Sequence, residues 1–289
     1  MGCANAARRG GLSTEDGDEM DRLIAIALII VYGGMMGYVW GFWRHRPAER
    51  YPQKTELAIL ACALVFHAYW VWSPLLRHGM TVMGFSHALN LIVWLMLTLY
   101  CVGGFFYSLR GLQILLYPLA VLALALAAVF PSYSLAGSPA GAALAIHAGS
   151  SLLAYSLFGV SALIAALLIR VEGDLRRRRR MSNLVKFMPP LLSVEVVMFD
   201  AIWAGFALLT LSIVTGVLQR GAQWGAAAAL SHKNVFAVLS WLIYASLLWF
   251  RVRHSWRGER AAWWVVIGFT SLLLAYLGSR IVLAFIWGA

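Results

Sequence analysis

The sequence predicts an all-α membrane protein: a polytopic bundle of about eight transmembrane helices with both termini outside. Of 289 residues, 62% are hydrophobic and only 12% charged, about half the charged share of a soluble domain. The apolar residues fall in blocks long enough to span a bilayer rather than in amphipathic stripes. Lipid offers no partner to a backbone N–H or C=O, so each block must satisfy its own as a helix. The short alternating segments of a β-barrel are absent.

In chain order, residues 1–20 come first as a polar tail carrying Ser13, Thr14, Glu15, Asp16, Asp18 and Glu19. The tail lacks the apolar core of a secretory signal. Ala6 stands where a myristoylation site needs Ser or Thr. Composition reads this tail as a disordered extension, with Met20 as an alternative start to Met1. Residues 21–289 then form one integral membrane domain. The predicted spans are 22–42, 55–76, 87–107, 112–131, 144–169, 201–219, 235–250 and 263–287. Pro118 falls inside the fourth, where neighbouring helices tolerate a kink. Pro189 and Pro190 open a segment, 191–199, expected to lie along the membrane before the sixth span. Cys62 and Cys101 sit in apolar runs, and no Cys-x-x-Cys pair exists to make a redox or zinc motif.

The net charge of +11 would suggest nucleic acid in a soluble protein. Here the basic residues lie in short loops, so they set orientation instead, and no nucleic-acid partner is expected. Arg44, Arg46, Arg50, Lys54, Arg110, Arg170, Arg176 to Arg180, Lys186, Arg251, Arg253, Arg257 and Arg260 share one face. They outnumber the basic residues of the other face more than twofold, which makes theirs the cytoplasmic one. The run Arg176 to Arg180 is expected at anionic headgroups of membrane lipids, worth about 1 kcal/mol per charge.

No nucleophile–base pair, phosphate loop or zinc signature appears. The histidines are more informative. His78, His87, His147 and His232 fall at the outer ends of spans or in outer loops, and His67 lies past the middle of the second span. A neutral imidazole is the least costly ionisable group to bury, and it is a common haem ligand. The competing role is hydrogen-bonded packing between helices. Thirteen tryptophans either wall a haem site or form the aromatic belts usual at membrane interfaces.

Several segments bear on that choice. Ile146-His147-Ala148-Gly149 with Leu153-Ala154-Tyr155 resembles the histidine-led helix of the cytochrome c assembly family, membrane proteins that handle haem during cytochrome c maturation. Met188-Pro189-Pro190-Leu191-Leu192-Ser193-Val194-Glu195 is similar to that family's Pro-Ser-Leu-Glu segment. Gly205-Phe206 through Thr210, then Thr215-Gly216, resembles its Gly-Phe…Leu-Thr…Thr-Gly pattern. Ser240-Trp241-Leu242-Ile243-Tyr244-Ala245, Trp256-Arg257-Gly258-Glu259-Arg260 and Ala275-Tyr276-Leu277-Gly278 follow in order. Before residue 130 the likeness is confined to hydropathy and Phe66-His67-Ala68.

In haem-handling members a tryptophan-rich loop presents haem at the outer face between histidine ligands. Trp224-Gly225 fits the start of that loop, but Ala226 to Ala229, Leu230 and Ser231 replace its aromatic core. An alanine run cannot stack on a porphyrin. Ser279-Arg280-Ile281 stands where the family's second outer histidine belongs. This pattern resembles the HemX-like, inner-membrane branch.

The resemblance implies a multi-pass protein of the bacterial inner membrane that binds or passes haem, or supports cytochrome c maturation with other membrane proteins, without being an enzyme. It makes His147 the candidate axial ligand, His67 the candidate for a second, intramembrane haem, and Trp224 part of the haem-binding edge. His232 or His87 is the candidate outer partner of His147. The alternative is a haem-free regulatory or scaffold subunit acting through a protein partner by way of the basic 170–200 loop. Solute transport would require paired charges deep in the spans; Asp200 and Arg280 both sit near span ends.

Overall fold

The computed structural model describes residues 2–45, 50–78, 84–129, 142–176, 189–220 and 232–287, with side chains at 20, 22–45, 50–77, 84–129, 142–176, 189–218 and 234–275. These residues form eight helices: α1 (Gly2–His45), α2 (Gln53–His78), α3 (Phe85–Phe106), α4 (Gln113–Val129), α5 (Ala142–Arg176), α6 (Leu191–Arg220), α7 (His232–His254) and α8 (Gly258–Trp287). The chain is therefore the expected helical membrane bundle. Among the described residues, six segments are long and apolar enough to cross a membrane: Arg22–His45, Gln53–Arg77, Phe85–Phe106, Ala142–Arg176, Leu191–Leu218 and Asn234–His254. Helix α4 is apolar but shorter, and it runs through Pro118.

Helix α1 begins at Gly2. One difference from expectation concerns a helix start. The segment 191–199, expected to lie along the membrane, is instead the first part of α6, continuous with the sixth span. Pro190 accepts backbone hydrogen bonds from Ser193 and Val194 and so starts that helix, a position where proline's missing N–H costs nothing. Glu195, within that segment, is buried and its charge is met by Arg251 at 2.8 Å.

The helices sort into two compact units. The first comprises residues 1–45, 50–98 and 113–138, hence α1, α2, most of α3 and α4. In α1, Ala25, Leu28, Tyr32, Met35, Val39 and Phe42 are buried. Their alternating three- and four-residue spacing is one helical face. Large apolar residues between them, such as Ile26 and Ile30, are exposed, as suits a helix meeting lipid. Leu57, Leu60, Leu64, His67 and Val71 make the matching stripe on α2. Two polar side chains fix α3 against its neighbours. Trp94 Nε1 donates to the Leu64 carbonyl at 3.1 Å, and Asn90 Nδ2 donates to the Ala123 carbonyl of α4 at 2.9 Å.

The second unit comprises residues 46–49, 99–112 and 139–289, and so contains α5 to α8. At its centre the Phe158 ring of α5 stacks on Tyr244 of α7, centroids 3.9 Å apart. Glycines clamp this pair. A Cβ at Gly205 of α6 would sit 3.2 Å from the Phe158 ring, and one at Gly268 of α8 would sit 3.0 Å from Tyr244. Hydroxyls lace the helices to one another's backbone: Tyr155 donates to the Leu272 carbonyl, Ser240 to that of Gly268 and Tyr244 to that of Val265. Such bonds substitute for the hydrophobic driving force that lipid removes.

One end of this unit is held by charge. Arg251 of α7 pairs with Glu195 of α6, donates to the Trp256 carbonyl at 2.9 Å, and lies over the Phe199 ring. Trp256 in turn stacks on Phe250 at 4.4 Å. Glu172 of α5 accepts the Glu259 N–H at the start of α8, and Arg176 pairs with Glu259. A carboxylate there complements the N-terminal helix dipole. Gly258 makes the approach possible. Its φ is +64°, and a Cβ would fall 2.7 Å from the Glu172 carboxylate.

Candidate functional site

The other end of the second unit carries His147. It lies near the start of α5, about 37 Å along the helix from Glu172 at 1.5 Å per residue. The ring is half-buried against α6. His147 Nδ1 is 2.8 Å from the Ser212 backbone carbonyl. A carbonyl only accepts, so Nδ1 carries the hydrogen and Nε2 holds the lone pair. Among the described residues Nε2 has no hydrogen-bond partner.

The residues around His147 keep this geometry. The Ser212 hydroxyl is 2.6 Å from that of Ser151 and 3.4 Å from Nδ1. The hydroxyls of Ser150 and Ser151 also bond the His147 carbonyl. Gly216, one turn beyond Ser212, lets α6 pass close to the imidazole. A Cβ at Gly216 would lie 3.0 Å from His147 Cε1 and 3.2 Å from Nδ1. The Thr215-Gly216 pair read in the sequence thus borders the histidine, 65 residues away along the chain at its Ser212 bond.

A second polar centre lies in the first unit. His67 is fully buried on α2. Its Nδ1 is 3.1 Å from the Tyr32 hydroxyl of α1, and its Nε2 is buried without a hydrogen-bond partner among the described residues. The Tyr32 ring stacks on Tyr117 of α4, centroids 6.5 Å apart. The Tyr117 hydroxyl donates to Glu56, which is buried near the start of α2. Beside Glu56, the Tyr51 phenol is pushed well above its ordinary value, first by burial and then by the Glu56 carboxylate. It therefore stays a neutral donor.

The structure places the remaining sequence-derived candidates as follows. His87 belongs to the first unit, near the start of α3; it is buried and hydrogen-bonds the Val71 backbone. His232 is the first residue of α7, but its side chain lies outside the described residues. Trp224 and the alanine run 226–229 also lie outside them. Among the described residues no three His, Cys, Asp or Glu side chains gather as a metal cluster. Cys62 is exposed and Cys101 buried, and neither forms a disulfide among the described residues.

Sequence reasoning missed Tyr32, Ser212 and Glu56. A glutamate within the predicted span 55–76 was the available signal for the last. The other two are long-range partners with no local mark. Both histidines fit a haem iron by their donor atoms. One offers a lone pair fixed by its own tautomer; the other offers a buried nitrogen without a hydrogen-bond partner among the described residues.

Comparison with known proteins agrees with the residue pattern. A family model described as Cytochrome C assembly protein matches residues 57–287. The Inner membrane protein YpjD of Escherichia coli (strain K12) is 30% identical over 236 residues, covering 78% of this chain and 86% of that protein. The Cytochrome c biogenesis protein CcsA of Prochlorococcus marinus (strain MIT 9515) is 35% identical over 85 residues, covering 29% of this chain and 27% of that protein. CcsA of Guillardia theta is 28% identical over 149 residues, covering 47% of this chain and 50% of that protein. No solved structure matches. With most of its length covered by that model, and with its eight-helix architecture, the chain belongs to the cytochrome c assembly protein family.

Proposed function

We propose that this chain is a multi-pass protein of the bacterial inner membrane that binds or passes haem in support of cytochrome c maturation, with His147 as an axial ligand through Nε2. The observation that carries this reading is the hydrogen bond from His147 Nδ1–H to the Ser212 carbonyl. A carbonyl that accepts the N–H opposite the metal-binding nitrogen fixes the tautomer and orientation of metal-binding imidazoles and raises their basicity. The positive-inside distribution of Lys and Arg assigns the His147 end to the outer face and both termini outside. When bound, haem supplies the iron whose coordination the imidazole completes. The residues of this chain orient the ligand, keep one tautomer and exclude water from it.

The chain acts as a binding and transfer factor rather than an enzyme. Covalent attachment of haem needs a built platform, and Ala226 to Ala229 replace aromatic residues there. The same replacement supports a HemX-like assignment within the family. His232, at the head of α7 in the same unit as His147, would be the second histidine to hold the iron. Partners are haem, membrane lipids and other membrane proteins of the maturation route.

A cellular test follows. Deleting the gene in its host is expected to lower haem-stained c-type cytochromes, and restoring the chain should recover them while the His147→Ala chain does not. Unchanged holocytochrome levels after deletion would contradict the reading. Full recovery by His147→Ala would favour the second reading, a haem-free regulatory or scaffold subunit, which the alanine run also supports.

Gly216 gives a sharper local prediction. Gly216→Ala should leave stability equal or slightly higher, because alanine gains up to about 1 kcal/mol over glycine within a helix. Haem retention should nonetheless fall roughly tenfold, as with other losses of ligand-orienting contacts. Thermal unfolding and haem dissociation measured on the same detergent sample check both signs.

A further inference from the structure

We infer that Tyr32 is a positioning residue for His67, and that Tyr32, Tyr117 and Glu56 hold the His67 imidazole with Nε2 presented as an intramembrane ligand atom. The inference rests on the reading of His67 as a haem ligand and deepens it. The contacts form a circuit through three helices. His67 of α2 bonds Tyr32 of α1, Tyr32 stacks on Tyr117 of α4, and Tyr117 donates to Glu56, back on α2. Glu56 and His67 are eleven residues apart, about three turns, so both face the same side of α2. All four side chains are buried.

This arrangement differs from ordinary packing. A buried polar atom is normally hydrogen-bonded, and one left bare calls for a reason. Here Nδ1 is satisfied by Tyr32 while Nε2 is not satisfied among the described residues. Tyr32 cannot swing to serve Nε2, because its ring is tilted 58° against His67 on one side and stacked on Tyr117 on the other. An iron atom would use the Nε2 lone pair. Nδ1 then carries the hydrogen and donates it to the Tyr32 oxygen. Such a bond raises the basicity of the imidazole, which favours ferric over ferrous iron and lowers the reduction potential.

The test uses the full chain in detergent, reconstituted with haemin, in a His147→Ala background so that the remaining haem reports on His67. Tyr32→Phe removes one oxygen and keeps the ring and its stack. It is expected to weaken haem retention about tenfold and to raise the midpoint potential. His67→Ala should abolish the remaining haem. If His67→Ala retains it, or if the background chain binds none, the reading of His67 as ligand fails. If His67→Ala loses haem but Tyr32→Phe changes neither affinity nor potential, the role of Tyr32 fails alone. Should Tyr32→Phe not fold, Tyr117→Phe decides. It cuts the circuit at Glu56 and should raise the potential by a smaller amount; an unchanged potential would overturn the inference.

Discussion

Replacing His147 by alanine is expected to remove the sharp low-spin Soret and α bands of an outer-face haem while leaving the helical fold intact. The reason is the division of labour at that ring. His147 makes one backbone hydrogen bond, to Ser212, worth about 1 kcal/mol of stability. Its Nε2 makes no other contact with the described polar groups, so its loss falls on ligation rather than folding. Absorption spectra and thermal unfolding of the variant separate the two effects. Bands that survive intact would mean that another residue holds the iron.

Arg251→Ala should have the largest effect on stability, about 3–5 kcal/mol, the usual cost of removing one partner of a buried pair. Its side chain is only 18% exposed and that of Glu195 only 9%. Removing the guanidinium leaves a buried carboxylate, frees the Trp256 carbonyl and takes the cation from the Phe199 face. Glu195→Gln should cost less, since the amide oxygen can still accept from Arg251. Replacing both by apolar residues of similar size should recover much of the loss. Unfolding midpoints of the three variants order these outcomes. An Arg251→Ala protein as stable as the parent would show that the pair contributes nothing at that end of the unit.

The fold was legible because lipid permits so few solutions. Long apolar blocks must be helices, and each of the eight predicted spans overlaps one of the helices described, running past its ends by no more than two residues. What hydropathy could not give were helix ends set by side-chain pairing. Glu195 and Glu172 look like interruptions in a hydropathy profile, yet each is answered from far along the chain, by Arg251 and by the start of α8. The site was legible in its imidazoles. His147 stood out by its motif and His67 by its depth. Their partners were not legible, because a backbone carbonyl at Ser212 and a phenol at Tyr32 are ordinary residues until packing brings them within 3.1 Å. Glu56 lay inside the predicted span 55–76 with no role assigned, and only the Tyr117 hydroxyl reveals it as a buried member of a network.

On the proposed function, this chain holds haem through imidazoles whose Nε2 atoms have no hydrogen-bond partner among the described residues. The most direct measurement is the absorption spectrum of the detergent-purified protein, first oxidised and then reduced with dithionite. Haem in near-stoichiometric amount, with a low-spin Soret band and a sharp α band on reduction, is the predicted result. A protein that stays colourless even when haem is supplied during expression would contradict the claim.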